Sequence, residues 1–370
     1  MRMPASQFDF KFDRISMTLR RGGSVIIRDA KGQAALIRAA EFSDITPERL
    51  EDMVTGSEIL CLTKRHMTAF GRTVQGNLNC FTLPAETFDN GQITALILGD
   101  GTLLPEDANI LGEHENSLPD MACQLLRAVR LIPAALLSRV SVRRQQQARL
   151  AESFQIPVID LHELTNLTED LEPEMSISIT ATLPLATAPD SKIVMFRQPA
   201  NREEHFAILV GEISTRRPPL VRLHSQCVTG DILGSLKCDC GAQLHAALMQ
   251  MQEAGSGILL YLAQEGRDIG LLNKIRAYAL QDAGLDTVDA NHRLGFETDE
   301  RVFSPAAAML KALGVSTIRL MTNNPDKLNQ LGNYGITIDE RIGLNPPANP
   351  YNHNYLETKK ERTGHFIDSD

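Results

Sequence analysis

The sequence predicts an α/β fold with mixed sheets in two domains, and three observations carry that expectation. Its 370 residues exceed what one core usually fills, since single cores rarely grow past about 250 to 300 residues. Short apolar runs bounded by turn residues alternate with amphipathic stretches at helical spacing along the chain. Over residues 167–189 this alternation gives way to Thr, Ser, Pro and acidic residues, including Leu171-Glu-Pro-Glu and Leu183-Pro-Leu. A linker plus an entering strand there separates a domain of residues 1–172 from one of residues 173–370.

In the first half, residues 24–27, 59–62, 93–98 and 156–160 read as strands, and residues 121–129 and 142–152 as helices. In the second half, residues 204–210, 257–262 and 316–321 read as strands, and 244–254, 273–283 and 305–313 as helices. Gly255 and Gly314 follow two of these helices, where a left-handed C-terminal cap favours glycine. No internal repeat or low-complexity tract interrupts the pattern, and the residues after His365 are expected to fray.

Composition narrows the function. With 43% hydrophobic and 22% charged residues the chain can bury sizeable cores. A net charge of -9 argues against binding a nucleic-acid polymer, and an anionic substrate would need a local basic pocket. Six cysteines, three of them clustered, fit a reducing compartment better than a disulfide framework; Cys61, Cys80 and Cys123 read as core thiols. No leader and no run of about 20 apolar residues is found, so a cytoplasmic protein that avoids membranes is expected.

The clustered thiols are Cys227, Cys238 and Cys240, within Arg222-Leu-His-Ser-Gln-Cys-Val-Thr-Gly-Asp231 and Cys238-Asp-Cys-Gly. Three cysteines leave a tetrahedral zinc one ligand short, which is the arrangement of a catalytic site that keeps a position for water. On spacing alone, a structural zinc with a fourth ligand from elsewhere, or ordinary buried thiols, is as good a reading. His224 and His292 are assigned to no metal, because a lone histidine is more often hydrogen-bonded structure.

Two strand ends carry further chemistry. Gln264-Glu-Gly-Arg-Asp-Ile-Gly270 is a glycine turn between a strand and a helix, where backbone N–H groups can face an anion. Arg267 offers a planar fork for phosphate and Glu265 an acceptor for base edges, although an exposed Glu-Arg ion pair accounts for them as well. Thr322-Asn-Asn-Pro-Asp-Lys327 repeats the pattern; a turn capped by asparagine, with Thr322 and Lys327 solvated, is the favoured reading there. Asp299 and Arg301, one residue apart, suit proton transfer and phosphate stabilisation, or a loop salt bridge.

Taken in order, Arg-Leu-His-Ser-Gln-Cys-Val-Thr-Gly-Asp, Cys-Asp-Cys-Gly-Ala-Gln-Leu, Gln-Glu-Gly-Arg-Asp-Ile-Gly-Leu, Arg-Ala-Tyr-Ala-Leu-Gln-Asp, Leu-Gly-Phe-Glu-Thr-Asp-Glu-Arg and Thr-Asn-Asn-Pro resemble the GTP cyclohydrolase II family over residues 176–365. The resemblance implies a zinc-dependent hydrolase of riboflavin biosynthesis that opens the guanine ring of GTP, releasing C8 as formate and two phosphates as pyrophosphate. It makes Cys227, Cys238 and Cys240 the ligands of one zinc ion per chain, with water activated by that zinc attacking C8. It makes Asp299 the proton acceptor, makes Arg301 a nucleophile on the α phosphorus and sets Tyr278 near the reacting ring. Because a guanidinium stays protonated, stabilising phosphate charge is the easier task for Arg301. Arg222, His224, Ser225, Gln226, Gln243, Glu265, Gly266, Arg267, Thr287, Thr322 and Lys327 match nucleotide-contacting positions, and magnesium is implied with the substrate phosphates. Gln226 departs from the glutamate common in the family, which removes one negative charge.

The first half resembles 3,4-dihydroxy-2-butanone-4-phosphate synthase in its layout from Leu19-Arg-Arg-Gly-Gly through Arg38-Ala-Ala-Glu41 and Thr46-Pro-Glu. The acidic loop of that family reads Arg28-Asp-Ala-Lys-Gly-Gln-Ala-Ala-Leu36 here and keeps one acid, Asp29. Hard divalent cations need several oxygen ligands, so a synthase-like domain without synthase activity is expected, kept for stability, dimerisation or regulation. A homodimer that hydrolyses GTP is therefore the leading expectation. The alternatives are a bifunctional enzyme and a GTP-binding regulator without catalysis.

Overall fold

The computed structural model describes residues 5–45, 54–74, 76–99, 104–140, 152–168, 172–198, 203–213, 217–344, 349–352, 357–358, 360–362, 364 and 366. By compactness these fall into two units, Met1–Glu169 with Leu272–Glu300, and Asp170–Leu271 with Arg301–Asp370. The division in sequence is expected at 172/173; by compactness, residues 272–300 group with the first unit. Each unit holds one seven-stranded mixed sheet with helices, so the chain is α/β with two sheets.

The first sheet contains β1 (Val25–Arg28), β2 (Ala34–Ala39), β3 (Val54–Thr63), β4 (Leu78–Pro84), β5 (Leu111–His114), β6 (Ala134–Val140) and β7 (Val158–Asp160) in the order β5-β4-β3-β6-β2-β1-β7. Its helices are α1 (Ala5–Arg20), α2 (Lys64–Ala69), α3 (Asn90–Leu98), α4 (Leu118–Ala128) and α5 (Leu161–Thr168). Strand alternation sorts the side chains. Val25, Ile27, Ala35 and Ile37 join Met121, Leu125 and Leu126 of α4 in one core, while Ile26, Ala34 and Leu36 turn to the opposite face.

One expected strand is a helix. Residues 93–98 lie in α3, where Asp89 and Gln92 form a reciprocal capping box and Gly99 ends the helix at φ +80°. Ile93, Leu96 and Ile97 are its buried residues, a helical spacing that a six-residue apolar window conceals. The helix expected over 142–152 falls outside the described residues except at its last position.

Two further helices of this unit come from the second half of the chain, α7 (Leu271–Asp282), whose first residue belongs to the second unit, and α8 (Thr287–Arg293). The second sheet runs β14-β13-β11-β12-β10-β9-β8, from β8 (Ser176–Thr182), β9 (Ser191–Arg197), β10 (Phe206–Gly211), β11 (Leu220–Ser225), β12 (Ser256–Leu262), β13 (Thr317–Met321) and β14 (Thr337–Ile342). Strands β12, β11, β13 and β14 are parallel to one another, and β8, β9 and β10 add antiparallel pairs. Helices α6 (Cys240–Glu253), α9 (Ser304–Ala312) and α10 (Pro325–Asn333) complete the unit. Ile258, Leu260 and Leu262 of β12 pack with α9 and Leu259 with α6, which is why that strand is an unbroken apolar run. Gly255 and Gly314 both take φ +74° beyond their helices, as expected. Beyond the expected fraying point, Phe366 N–H donates to Asn323 O at 2.9 Å and the Phe366 ring stacks on Arg341.

In the first unit His66 is fully buried beside Arg293 and Arg127. Burial, reinforced by those cations, pulls its imidazole from 6.5 down to about 3. The unfolded chain therefore binds a proton that the folded chain refuses, and stability that is whole above about pH 6.5 should fall by about 1.4 kcal/mol per pH unit toward pH 3. Urea melts of His66→Gln should show a flatter acid limb than the parent; an equally steep limb would place the acid sensitivity elsewhere.

Candidate active site

Three adjacent parallel strands, β13, β11 and β12, end at Met321, Ser225 and Leu262. The turns leaving them carry Gln226 and Cys227, then Gln264 to Gly270, then Thr322 to Asn324. From β11 the chain passes through α6 to β12 on one side, whereas β13 lies on the other. In open α/β sheets this reversal opens a crevice at the carboxyl ends of the strands, where ligands bind.

The three thiols meet at this edge. Cys227 and Cys238 are buried, Cys240 is partly exposed as the first residue of α6, and the sulfurs lie within 4.8 Å of one another. A single wide helical turn, Val228–Ile232, brings the chain back beneath them, and Gly230 N–H donates to Cys227 Sγ at 3.3 Å. A Cβ on Gly230 would sit 2.9 Å from Cys238 Sγ and 3.0 Å from Cys227 Sγ, and one on Gly241 would sit 2.4 Å from Gly230 O. Glycine at both positions thus lets the backbone close around the sulfurs. Hydrogen bonding to the Cys227 sulfur, together with burial, pushes the Cys238 and Cys240 thiols above their ordinary range. Three thiolates this close need a cation among them, and soft sulfur donors on this spacing suit a thiophilic divalent ion. Among the described residues this is the one group of His, Cys, Asp or Glu so arranged.

A buried carboxylate that the sequence reading passed over supports the cluster. Asp231 accepts from His224 Nε2 at 3.0 Å, Tyr261 Oη at 2.9 Å and Cys227 N–H at 3.1 Å. Burial, with the Asp231 charge, raises the Tyr261 phenol, which keeps its proton and donates. Burial lowers His224, so its imidazole is neutral, and its Nε2 is taken up by Asp231. The signal that could have found Asp231 is its place four residues after Cys227, within reach of the N–H that opens the turn.

The polar residues around the strand ends are more buried than expected. Glu265 is 6% exposed and accepts from Val228 N–H at 2.7 Å, so it holds the turn that follows Cys227 and is no surface ion pair. Gly266, Arg267 and Asp268 all have positive φ, +66°, +60° and +74°; for two residues with a Cβ this is strain of the kind that collects at functional sites. Asn324 caps α10, as expected, by accepting from Asp326 N–H at 2.8 Å. Thr322 and Lys327, however, are not solvated. Thr322 is fully buried, and Lys327 Nζ donates to Leu223 O at 2.8 Å.

Three cations gather here in an acidic protein. Arg222 donates to Met321 O at 3.0 Å and to Gln243 Oε1 at 2.5 Å, and Gln243 passes the link to Asp239 Oδ2 at 2.6 Å. Burial pulls the Arg222 guanidinium down to about 10, which leaves it charged at neutral pH. Arg301 reaches Ser225 Oγ at 3.3 Å, and both Arg301 and Lys327 lie over the Phe303 ring. Gln226 is partly buried, its N–H donating to Leu262 O at 2.8 Å.

Three expected site residues belong to the first unit. Tyr278 lies on α7, Thr287 opens α8 behind the capping residue Asp286, and Asp299 follows the turn after that helix. His292 Nε2 meets Thr298 Oγ1 at 3.1 Å, a structural hydrogen bond.

The family model for GTP cyclohydrolase II matches residues 176–343. A GTP cyclohydrolase-2 of Azospirillum brasilense is 39% identical over 360 residues, covering 96% of this chain and 93% of that protein. The riboflavin biosynthesis protein RibBA of Bacillus mycoides is 35% identical, with coverage of 94% and 97%. A GTP cyclohydrolase-2 of Shigella boydii is 56% identical over 178 residues, covering 48% of this chain and 91% of its own.

Replacing Asp231 with Asn would turn one acceptor into a donor facing donors. Chelator competition should then report metal affinity lowered about 10- to 100-fold, and an unchanged affinity would detach Asp231 from the support of Cys227.

Proposed function

The chain belongs to the GTP cyclohydrolase II family, and from that premise we propose which of its groups carry the reaction. The reaction is hydrolysis of GTP to 2,5-diamino-6-(5-phosphoribosylamino)pyrimidin-4-one with release of formate and pyrophosphate, in riboflavin biosynthesis. The observation behind the assignment is the thiol cluster at the ends of three parallel strands, beside Arg222, Arg301 and Lys327.

In this reading Cys227, Cys238 and Cys240 hold one zinc ion per chain. The glycine-lined fit of the turn around the sulfurs supports that, and zinc supplies Lewis acidity for hydrolysis at C8. Asp299 takes the proton lost by the attacking water. Arg301 neutralises phosphate charge with Arg222 and Lys327, and magnesium bound with the substrate would add to that neutralisation. Glu265, its carboxylate oriented by Val228 N–H, accepts from the N–H edge of guanine, while Gly266 and Arg267 turn donors toward phosphate. His224, Ser225, Gln226, Gln243, Thr287 and Thr322 complete the nucleotide contacts, and Tyr278 lies against the reacting ring.

Residues 1–172 are proposed as a synthase-like domain without synthase chemistry, in a cytoplasmic homodimer. Asp29 Oδ1 accepts from Lys31 N–H at 2.9 Å and Gln33 N–H at 2.8 Å, so the one acid left in the loop closes the β1–β2 turn. That engagement weighs against the bifunctional alternative.

Purified, zinc-quantified protein should release formate and pyrophosphate from GTP in equal amounts; GTP binding without either product would favour a regulator. Cys238→Ser should lose bound zinc and formate release together, and an active, zinc-loaded variant would sink the metal assignment. Asp29→Ala should leave both products unchanged, whereas a loss of cyclohydrolase activity would give this loop a role that is not assigned to it.

A further inference from the structure

We propose that residues 1–169 are a clamp that positions residues 272–300 for the cyclohydrolase reaction, through Glu41, Thr63, Arg65 and His66. The proposal rests on the assignment of Tyr278, Thr287 and Asp299 above, since this is the segment that carries all three. By compactness the segment belongs with residues 1–169, although its sequence lies inside the family match at 176–343. The four clamp residues lie outside that match.

The clamp grips the segment at both ends. At its start, the Glu41 side chain is 3% exposed and accepts from Arg276 Nη2 at 2.9 Å, while its other oxygen accepts from Ile132 N–H at 3.0 Å. Arg276 also donates to Asn273 Oδ1 at 2.8 Å, and Asn273 Nδ2 donates to Arg130 O at 3.0 Å. The first turns of α7 are thereby fixed two residues from Tyr278. At the other end, buried Thr63 donates to Gly295 O at 2.9 Å. The His66 ring packs so closely under Gly295 that a Cβ there would lie 2.0 Å from its Cε1. Gly295 has φ +81°, so this contact needs glycine twice over. Arg65 Nε donates to Glu297 at 2.6 Å, two residues before Asp299. Glu300 closes the turn by accepting from Glu297 N–H at 2.7 Å and pairs with Arg127 at 3.4 Å.

These bonds are concentrated beside the residues assigned to chemistry, and a misplacement of about 1 Å can cost a reaction about 100-fold. Glu41, Thr63, Arg65 and His66 are accordingly positioning residues that touch no substrate.

The test uses the full-length, zinc-quantified protein and GTP. Glu41→Gln combined with Arg65→Ala should lower kcat for formate release about 10- to 100-fold, with zinc content unchanged and faster hydrogen exchange confined to residues 271–300. Arg65→Glu alone should lower kcat, and adding Glu297→Arg should restore most of it, a rescue that loss of general stability would not give. Parent kcat in the double variant, with Asp299→Ala inactive, would overturn the clamp and leave the site assignment intact. Parent activity in Asp299→Ala would overturn the assignment and the clamp with it. Should the double variant not fold, the reversed pair decides: no rescue counts against the proposal.

Discussion

The hydrogen bonds converging on the Asp231 carboxylate set the geometry of the second unit's site. An isolated buried carboxylate costs several kcal/mol, so each of its donors must be delivered together. His224 and Tyr261 are direct partners in the parallel register of β11 and β12, and their rings stack at 5.5 Å while both donate to Asp231. A one-residue slip would send one of them to the opposite face. The third donor, Cys227 N–H, ties the same carboxylate to the first thiol, so strand register and sulfur position are fixed by one charge.

Charge in the second unit follows the same economy of placement. Arg222 spans β11, Met321 of β13 and Gln243 of α6, and Gln243 holds Asp239 just before Cys240. The helix that brings the third thiol is therefore bound to the strands that bring the first. Across the crevice, the loop 264–270 is closed by Asp268 and Gly270 N–H groups donating to Glu265 O, which sustains two left-handed residues. An acidic protein gains a local basic pocket because cations there are anchored by carbonyls and ring faces.

The chain holds two sets of three cysteines, and their contrast shows how environment decides chemistry. Cys61, Cys80 and Cys123 sit in the first core among aliphatic side chains, with Cys80 and Cys123 sulfurs 3.7 Å apart. Burial pushes Cys61 and Cys80 far above the usual thiol range, so they remain protonated apolar filler. Cys227, Cys238 and Cys240 instead face a glycine-lined turn with their sulfurs within 4.8 Å of one another, and the neighbouring Cys227 sulfur is the first cause that pushes Cys238 and Cys240 up. The first unit, whose remaining loop acid serves a hairpin turn, keeps a full core and holds a segment of the other half's sequence.

What the sequence determined by itself was local. Strands β10, β12 and β13, helices α6, α7 and α9, the left-handed caps at Gly255 and Gly314 and the thiol spacing are all written in residues a few positions apart, whereas β11 and α10 were not expected. Residues 93–98 misled because an apolar window is shared by strand and helix, and only the Asp89 cap and the side that is buried distinguish them. Tertiary structure alone decided which polar residues are buried, as with Thr322 and Lys327, whose partners lie across the sheet or in the adjacent turn. It also gave Asp231 its three donors and placed residues 272–300 with the first unit, against the order of the chain. Those outcomes depend on burial and on pairs up to 235 residues apart, such as Glu41 with Arg276, and no window of neighbouring residues contains that information.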